Sequence, residues 1–159
     1  MKSASVADIR REVKQLSAIE LQKITELLAK YSNDNKAYLT YLLYEAHDRA
    51  TYIQNVKDEL REGFANFSAE SNLYFSKKTL RKLLRQVTKY AKYTGDKAVL
   101  CELLIYYCEL LNESKMPFRK SQVLLNLYNR IIATIEKACT SLHEDLQADY
   151  FIQIEALKD

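Results

Sequence analysis

Residues 76–112 read SKKTLRKLLRQVTKYAKYTGDKAVLCELLIYYCELLN. Apolar side chains recur every three or four positions on both sides of Gly95, which is the spacing of one face of an α-helix. Gly95 suits a helix C-terminus because glycine adopts the left-handed conformation without strain, and Asp96 suits the N-cap of the next helix. The segment therefore predicts two helices, 77–93 and 97–112, that pack antiparallel across a very short turn.

The rest of the chain shares this periodicity and contains few residues that interrupt a helix. Two glycines and one proline occur in 159 residues, too few for the many turns that connect the strands of a β-sheet. We expect an all-α fold of seven or eight helices in antiparallel hairpins, built as an irregular HEAT-like α-α superhelix or as a helical bundle. The other predicted helices cover 6–16, 18–31, 35–66 with a break near 47–48, 117–142 and 143–157, and the predicted loops cover 67–76 and 114–117.

Residues at the predicted helix ends support these boundaries. Ser17 and Glu20 have the spacing of a capping box at the start of the second helix. Asp48 and Ser76 are candidate N-caps, and Pro117 suits the first turn of a helix. Apolar residues of the first two helices are expected to face inward, because they form one stripe on each helix and these two helices can pack on each other. They are Val6, Ile9, Val13, Leu16, either Ile19 or Leu21, Ile24, Leu27, Leu28 and Tyr31.

Length and composition are those of a single globular domain, residues 1–159. The N-terminus lacks the apolar segment of a signal peptide, and no run of about 18 apolar residues predicts a membrane helix. Cys101, Cys108 and Cys139 lie among apolar residues of predicted helices, which is typical of reduced thiols in a core. We therefore expect a cytoplasmic protein that does not enter a membrane, with an oligomeric state that these features leave open.

Motifs for metal binding or catalysis are not expected. Cys101 and Cys108 are seven residues apart, about 10 Å along a helix, which is too far for a shared zinc ion or a disulfide. His47 and His143 lie in no metal-binding or catalytic motif, and two glycines cannot build a phosphate-binding loop. We expect no enzyme, no metal and no cofactor. An enzyme that uses a carboxylate such as Glu102 in a pocket between helices is the least favoured alternative.

Charge is unevenly distributed along the chain, whose net charge is +3. Residues 77–97 contain eight basic residues and one acidic residue, whereas residues 131–159 contain two basic and six acidic residues. On a helical wheel, the cations of helix 77–93 fall within an arc of about 140°, opposite the apolar residues. We call this surface the basic face, and its candidate partner-binding residues are Lys78, Arg81, Lys82, Arg85, Lys89 and Lys92.

The basic face has three interpretations. In the first, the basic face binds an acidic protein, which would make the chain a non-enzymatic interaction or scaffold domain. In the second, it binds the phosphate backbone of a nucleic acid, with Tyr90 and Tyr93 stacking on bases. In the third, it is only a solvated surface that the acidic C-terminal segment neutralises. Of the two functions, the sequence favours the first.

Residues 6–112 resemble small helical domains of unknown function found in bacteria. The similarity rests on IRREVKQLS at 9–17, EL at 20–21, LL at 27–28, NKAYL at 35–39, YLL at 41–43, and a basic helix followed by an apolar one with Tyr106-Tyr107. The resemblance implies a bacterial, all-helical domain and supplies no activity and no functional residues. HEAT-like proteins are similar in architecture only, which does not imply a function.

Overall fold

The structure is a computed structural model that describes residues 2–65, 67, 73–114 and 116–158. These residues form eight α-helices, one π-helical turn and one 3₁₀ turn and contain no strand, which confirms the predicted all-α fold. The helices are α1 (Val6–Val13), α2 (Ala18–Tyr31), α3 (Asn33–Thr40), α4 (Arg49–Ala65), α5 (Leu73–Thr94), α6 (Lys97–Glu113), α7 (Gln122–Cys139) and α8 (Glu144–Lys158). The π-helical turn covers Tyr41–Glu45, and the 3₁₀ turn covers Phe118–Lys120.

The chain divides into two compact units, residues 1–46 and 47–159, and each is described by itself. The N-terminal unit contains α1 to α3 and the π-helical turn. In it α2 packs on α3. The two helices meet at Ser32, whose Oγ accepts a hydrogen bond from Asn35 N at 3.1 Å.

Most apolar residues of α1 and α2 that are predicted to face inward are exposed, so the prediction is wrong for them. Within the described part of the N-terminal unit, α1 makes no extended contact with α2. A pair of helices buries only one side of each helix, and the short α1 adds no further cover. Leu16 and Leu21 are half-buried. The other predicted inward residues are all at least 37% exposed: Val6, Ile9, Val13, Ile19, Ile24, Leu27, Leu28 and Tyr31.

The C-terminal unit is built in two layers. One layer contains α4, α6 and α8, and the other contains α5 and α7, both of which pack on α6. Because α6 contacts all four other helices of this unit, it carries eight buried apolar side chains, from Val99 to Leu111. Among the described residues α5 and α7 make little contact with each other. A space therefore opens between these two helices.

Tyrosine hydroxyls in the C-terminal unit donate hydrogen bonds to backbone carbonyls of neighbouring helices. Tyr107 Oη donates to Leu80 O at 2.9 Å and joins α6 to α5. Tyr128 Oη donates to Leu157 O at 2.7 Å and joins α7 to α8. Each such bond stabilises the fold by about 1 kcal/mol. Two further hydroxyls act in the same way, with Tyr52 donating to Tyr90 O and Tyr150 donating to Ala98 O.

Most helix ends occur where capping residues predict them. Glu20 N donates to Ser17 Oγ and Ser17 N donates to Glu20 Oε2, so the capping box is present. Asp48 Oδ1 accepts from the backbone N–H of Thr51 at 3.1 Å and caps α4. Gly95 has φ of 66°, which confirms the predicted left-handed turn between α5 and α6.

Two predicted helix starts are wrong. α5 begins at Leu73, so Ser76 lies inside its first turn, where it is 3% exposed and caps nothing. Ser76 shares a stripe with the buried Leu80, and that stripe packs on α6. Pro117 precedes the 3₁₀ turn, and α7 starts only at Gln122. Of the predicted loop, residues 68–72 lie outside the described residues.

Gly63 allows α4 and α5 to approach each other. A Cβ atom built on Gly63 would lie 2.5 Å from Cδ2 of Leu83, a side chain that is itself 7% exposed. An alanine at this position would gain about 1 kcal/mol from helix propensity but would have to displace Leu83. The two residues are therefore expected to be energetically coupled.

We predict that Gly63→Ala fails to stabilise the wild-type protein but stabilises a Leu83→Ala variant by about 1 kcal/mol. The free energies of unfolding come from urea titrations followed by circular dichroism. As the control, Gly63→Ala in a Leu124→Ala background should behave as in the wild type, because Leu124 lies on α7 and has no such contact. Equal effects of Gly63→Ala in all three backgrounds would contradict the prediction.

Candidate functional site

α5 is the helix that presents the basic face. Its apolar residues recur at helical spacing and lie against α6, with Leu80 and Val87 each 0% exposed. The hydroxyl of Tyr107 holds this side of α5 in place through the carbonyl of Leu80. Because one side of α5 packs on α6, the opposite side of the helix lies at the surface of the C-terminal unit.

The structure places all six predicted residues of the basic face on α5, and five of them are exposed. Lys89 is half-buried, with its Nζ 6.0 Å from the ring centroid of Tyr90. Apart from the adjacent pair Arg81 and Lys82, the cations follow one another every three or four residues, about one helical turn apart. The exposed members are Lys78, Arg81, Lys82, Arg85 and Lys92.

Within the described residues, the acidic C-terminal segment forms no ion pair with five residues of the basic face, which are Lys78, Arg81, Lys82, Arg85 and Lys92. Lys158 on α8 forms ion pairs with two acidic residues of this segment, with Nζ 2.9 Å from Glu136 Oε1 and 2.6 Å from Glu155 Oε1. On α4, Glu59 accepts a hydrogen bond from Gln86. Within the described residues, the cations of α5 that form no ion pair are Lys77, Lys78, Arg81, Lys82, Arg85 and Lys92.

An open groove of about 700 Å³ lies between α5 and the first turn of α7. Its volume is within the range of ordinary ligand-binding sites. Val123 is the residue of α7 that lines the groove, and it is 47% exposed. Tyr74, at the start of α5, is 71% exposed. The first turn of α7 adds the partial positive charge of a helix N-terminus. We call this the basic groove, lined by Tyr74, Lys77, Lys78, Arg81, Leu84, Arg85 and Val123.

The predicted residues divide between the basic groove and the surface beside it. Lys78, Arg81 and Arg85 line the groove. The other three, Lys82, Lys89 and Lys92, belong to the basic face but do not line it. The groove therefore brings three predicted cations together with a second helix.

Sequence reasoning missed the apolar part of the basic groove. Tyr74 lies in the segment 67–76 that is predicted as a loop, and Leu84, an apolar residue on the side of the helical wheel opposite the cations, is only half-buried. Val123 lies on another helix, and no local pattern relates it to α5. The exposure of an aromatic and an aliphatic side chain beside four cations is what makes this groove more than a charged surface.

All three cysteines are free and buried. The Sγ atoms of Cys101 and Cys139 lie 3.3 Å apart, a contact between α6 and α7 that the spacing of Cys101 and Cys108 did not suggest. Burial raises the pKa of the Cys101 thiol to about 12, with a smaller contribution from the bond to Cys139, and burial also raises the pKa of Cys108 to about 12. A raised pKa keeps these two buried thiols protonated near neutral pH, whereas the thiolate is the reactive form.

Other polar groups are held in local pairs. Glu102, the carboxylate considered for acid–base chemistry, forms an ion pair with Lys57, with Nζ and Oε1 2.6 Å apart. His143 Nδ1 lies 3.4 Å from Asp145 Oδ2 at an exposed site. The described residues contain no group of three or more His, Cys, Asp or Glu side chains that could hold a metal ion. None of the described helices has the length and apolar character to cross a membrane.

Comparisons of the chain with protein-family models, with curated proteins and with solved structures found no match. The resemblance of residues 6–112 to bacterial helical domains therefore stays an expectation from the sequence.

Proposed function

We propose that this chain is a non-enzymatic interaction domain of the cytoplasm that binds an acidic protein through the basic face of α5. The observation that carries the proposal is the set of exposed cations on one helix that form no ion pair within the described residues. Unpaired charges of one sign raise the association rate and select partners of opposite charge. The three buried, free thiols support a reducing compartment.

The apolar side chains of the basic groove favour a protein partner. Tyr74 and Val123 offer exposed apolar surface beside the cations. A protein segment can cover such surface with side chains of its own while its carboxylates pair with lysine and arginine. A partner that supplied only charge would leave this surface in water.

Charge reversal tests the proposal. We predict that the triple change Lys78→Glu, Arg81→Glu and Arg85→Glu weakens binding of a fluorescently labelled, glutamate-rich peptide at least tenfold. The physical reason is that three attractive contacts become repulsive ones. Fluorescence anisotropy measures the affinity, and circular dichroism checks that the helices are retained.

A matched control separates the site from the net charge. Reversing Lys120, Arg130 and Lys137 changes the total charge equally at three exposed positions outside the basic groove. This control variant should bind within about threefold of the wild type. Equal losses in both triple variants would show that only net charge matters and would refute the proposal.

Nucleic-acid binding is the second candidate. It is favoured by the 71% exposure of Tyr74 next to the cations, because an exposed ring can stack on a base. Binding of a labelled single strand or duplex should then weaken steeply as salt rises. An absence of binding to both at 50 mM salt would eliminate this candidate.

A further inference from the structure

The basic groove has a defined length and two different walls. Along α5, its lining residues extend from Tyr74 to Arg85, a distance of about 16 Å or three helical turns. The opposite wall is the first turn of α7, which contributes Val123. A partner that fills the groove therefore contacts α5 over three turns and α7 at one end.

The spacing of the groove residues on α5 is that of a helix-packing surface. Tyr74, Arg81 and Leu84 are separated by intervals of seven and three residues, so they lie on one side of α5 within an arc of about 80°. A helix laid along this side of α5 inserts its own side chains at intervals of three and four residues. An extended chain has a period of two and does not match this spacing over three turns.

Charge and apolar surface lie side by side in the basic groove. All four cations belong to α5, which also contributes Leu84, and Val123 completes the apolar part from α7. A complementary helix needs aliphatic side chains along one stripe and carboxylates on the side that faces the cations of α5. Such a ligand is an amphipathic helix that binds in a groove and whose polar residues are acidic.

We infer that the basic groove between α5 and α7 receives an acidic amphipathic helix of about three turns from a partner protein. Its aliphatic stripe contacts Tyr74, Leu84 and Val123, and its Glu or Asp residues pair with the surrounding lysines and arginines. The inference rests on the proposed function and adds the conformation of the ligand and its apolar pattern. A disordered acidic segment would use the cations alone, and a nucleic acid strand would add only the stacking of a base on Tyr74.

Two synthetic peptides of identical composition test the inference. Both are capped, labelled 18-residue helices of Glu, Ala and Leu. In the first, leucines follow the i, i+3, i+4, i+7 pattern, and in the second they are distributed evenly around the helix. At 150 mM salt, fluorescence anisotropy should show that full-length protein binds the first peptide at least tenfold more tightly than the second.

A variant of the α7 wall provides the second readout. Val123→Ser leaves every cation in place and should weaken binding of the patterned peptide at least fivefold while changing binding of the even peptide less than twofold. The matched control is Ile152→Ser on α8, because Ile152 is also an exposed aliphatic residue, at 72%, but lies outside the groove. This control should bind both peptides like the wild type.

The outcomes separate the inference from the proposed function. Equal binding of both peptides, lost on reversal of Lys78, Arg81 and Arg85, would overturn the inference and leave the proposed function standing. Failure of both peptides to bind would overturn both. Tighter binding of a labelled single-stranded oligonucleotide than of either peptide would also overturn both and favour nucleic-acid binding.

Discussion

Replacement of Tyr107 by alanine is expected to lower the free energy of unfolding by about 3–5 kcal/mol. Tyr107 lies on the central helix α6 and is 0% exposed. Its ring meets the ring of Phe64 on α4 edge to face, with centroids 5.2 Å apart, and its hydroxyl donates to Leu80 O on α5 at 2.9 Å. One side chain therefore joins three helices, and its removal leaves a cavity where all three meet.

Two further variants divide this effect into its parts. Tyr107→Phe keeps the ring and removes only the hydrogen bond, so it should cost about 1–2 kcal/mol. Tyr44→Ala serves as a surface control, because Tyr44 is 70% exposed, and should change stability by less than about 0.5 kcal/mol. Urea unfolding at pH 7 measures all three. A loss below 1 kcal/mol for Tyr107→Ala would contradict the packing described for α6.

The second large effect is loss of stability in alkali. Burial raises the pKa of Cys101 and of Cys108 from 9.0 to about 12, and it raises the pKa of Tyr107 and Tyr150 from 10.0. Each group is neutral when protonated, so the unfolded chain releases these protons at a lower pH than the folded protein does. The stabilisation is complete below pH 9 and is lost between pH 9 and 12 for the two thiols.

We therefore expect the free energy of unfolding to be flat near pH 8 and to fall steeply above pH 9. Every proton that only the unfolded chain has lost contributes about 1.4 kcal/mol per pH unit. Cys108→Ala removes one such group, so its slope between pH 9 and 11 should be shallower than that of the wild type by up to this amount. Lysines titrate equally in both proteins and cancel in the comparison. Identical slopes would show that Cys108 is not protected from ionisation.

Local chemistry explains which parts of the fold could be predicted. Gly95 and Asp96 determine the turn between α5 and α6 through their own backbone preferences, and Asp48 does so at the start of α4. The cations of α5 were likewise predictable, because their position on the helix follows from the spacing of Leu80 and Val87 alone. Such features need no knowledge of a second helix.

Contacts between distant segments explain the rest. Val123 enters the basic groove, and Cys139 meets Cys101, only because α5, α6 and α7 pack in one order out of several that the sequence permits. The stripes of α1 and α2 show the same limit, since a periodic pattern says which side of a helix is apolar but not what covers it. Ile9 fits the pattern and is 52% exposed.

The central position of α6 has a consequence during synthesis on the ribosome. A nascent chain that has reached Glu113 holds α4 and α5 but not α7 or α8, so only part of α6 can be covered. The side of α6 with Cys101 stays in water until Ile135 and Cys139 emerge. The growing polypeptide thus passes through an interval in which its most apolar helix is only partly covered and is accessible to chaperones.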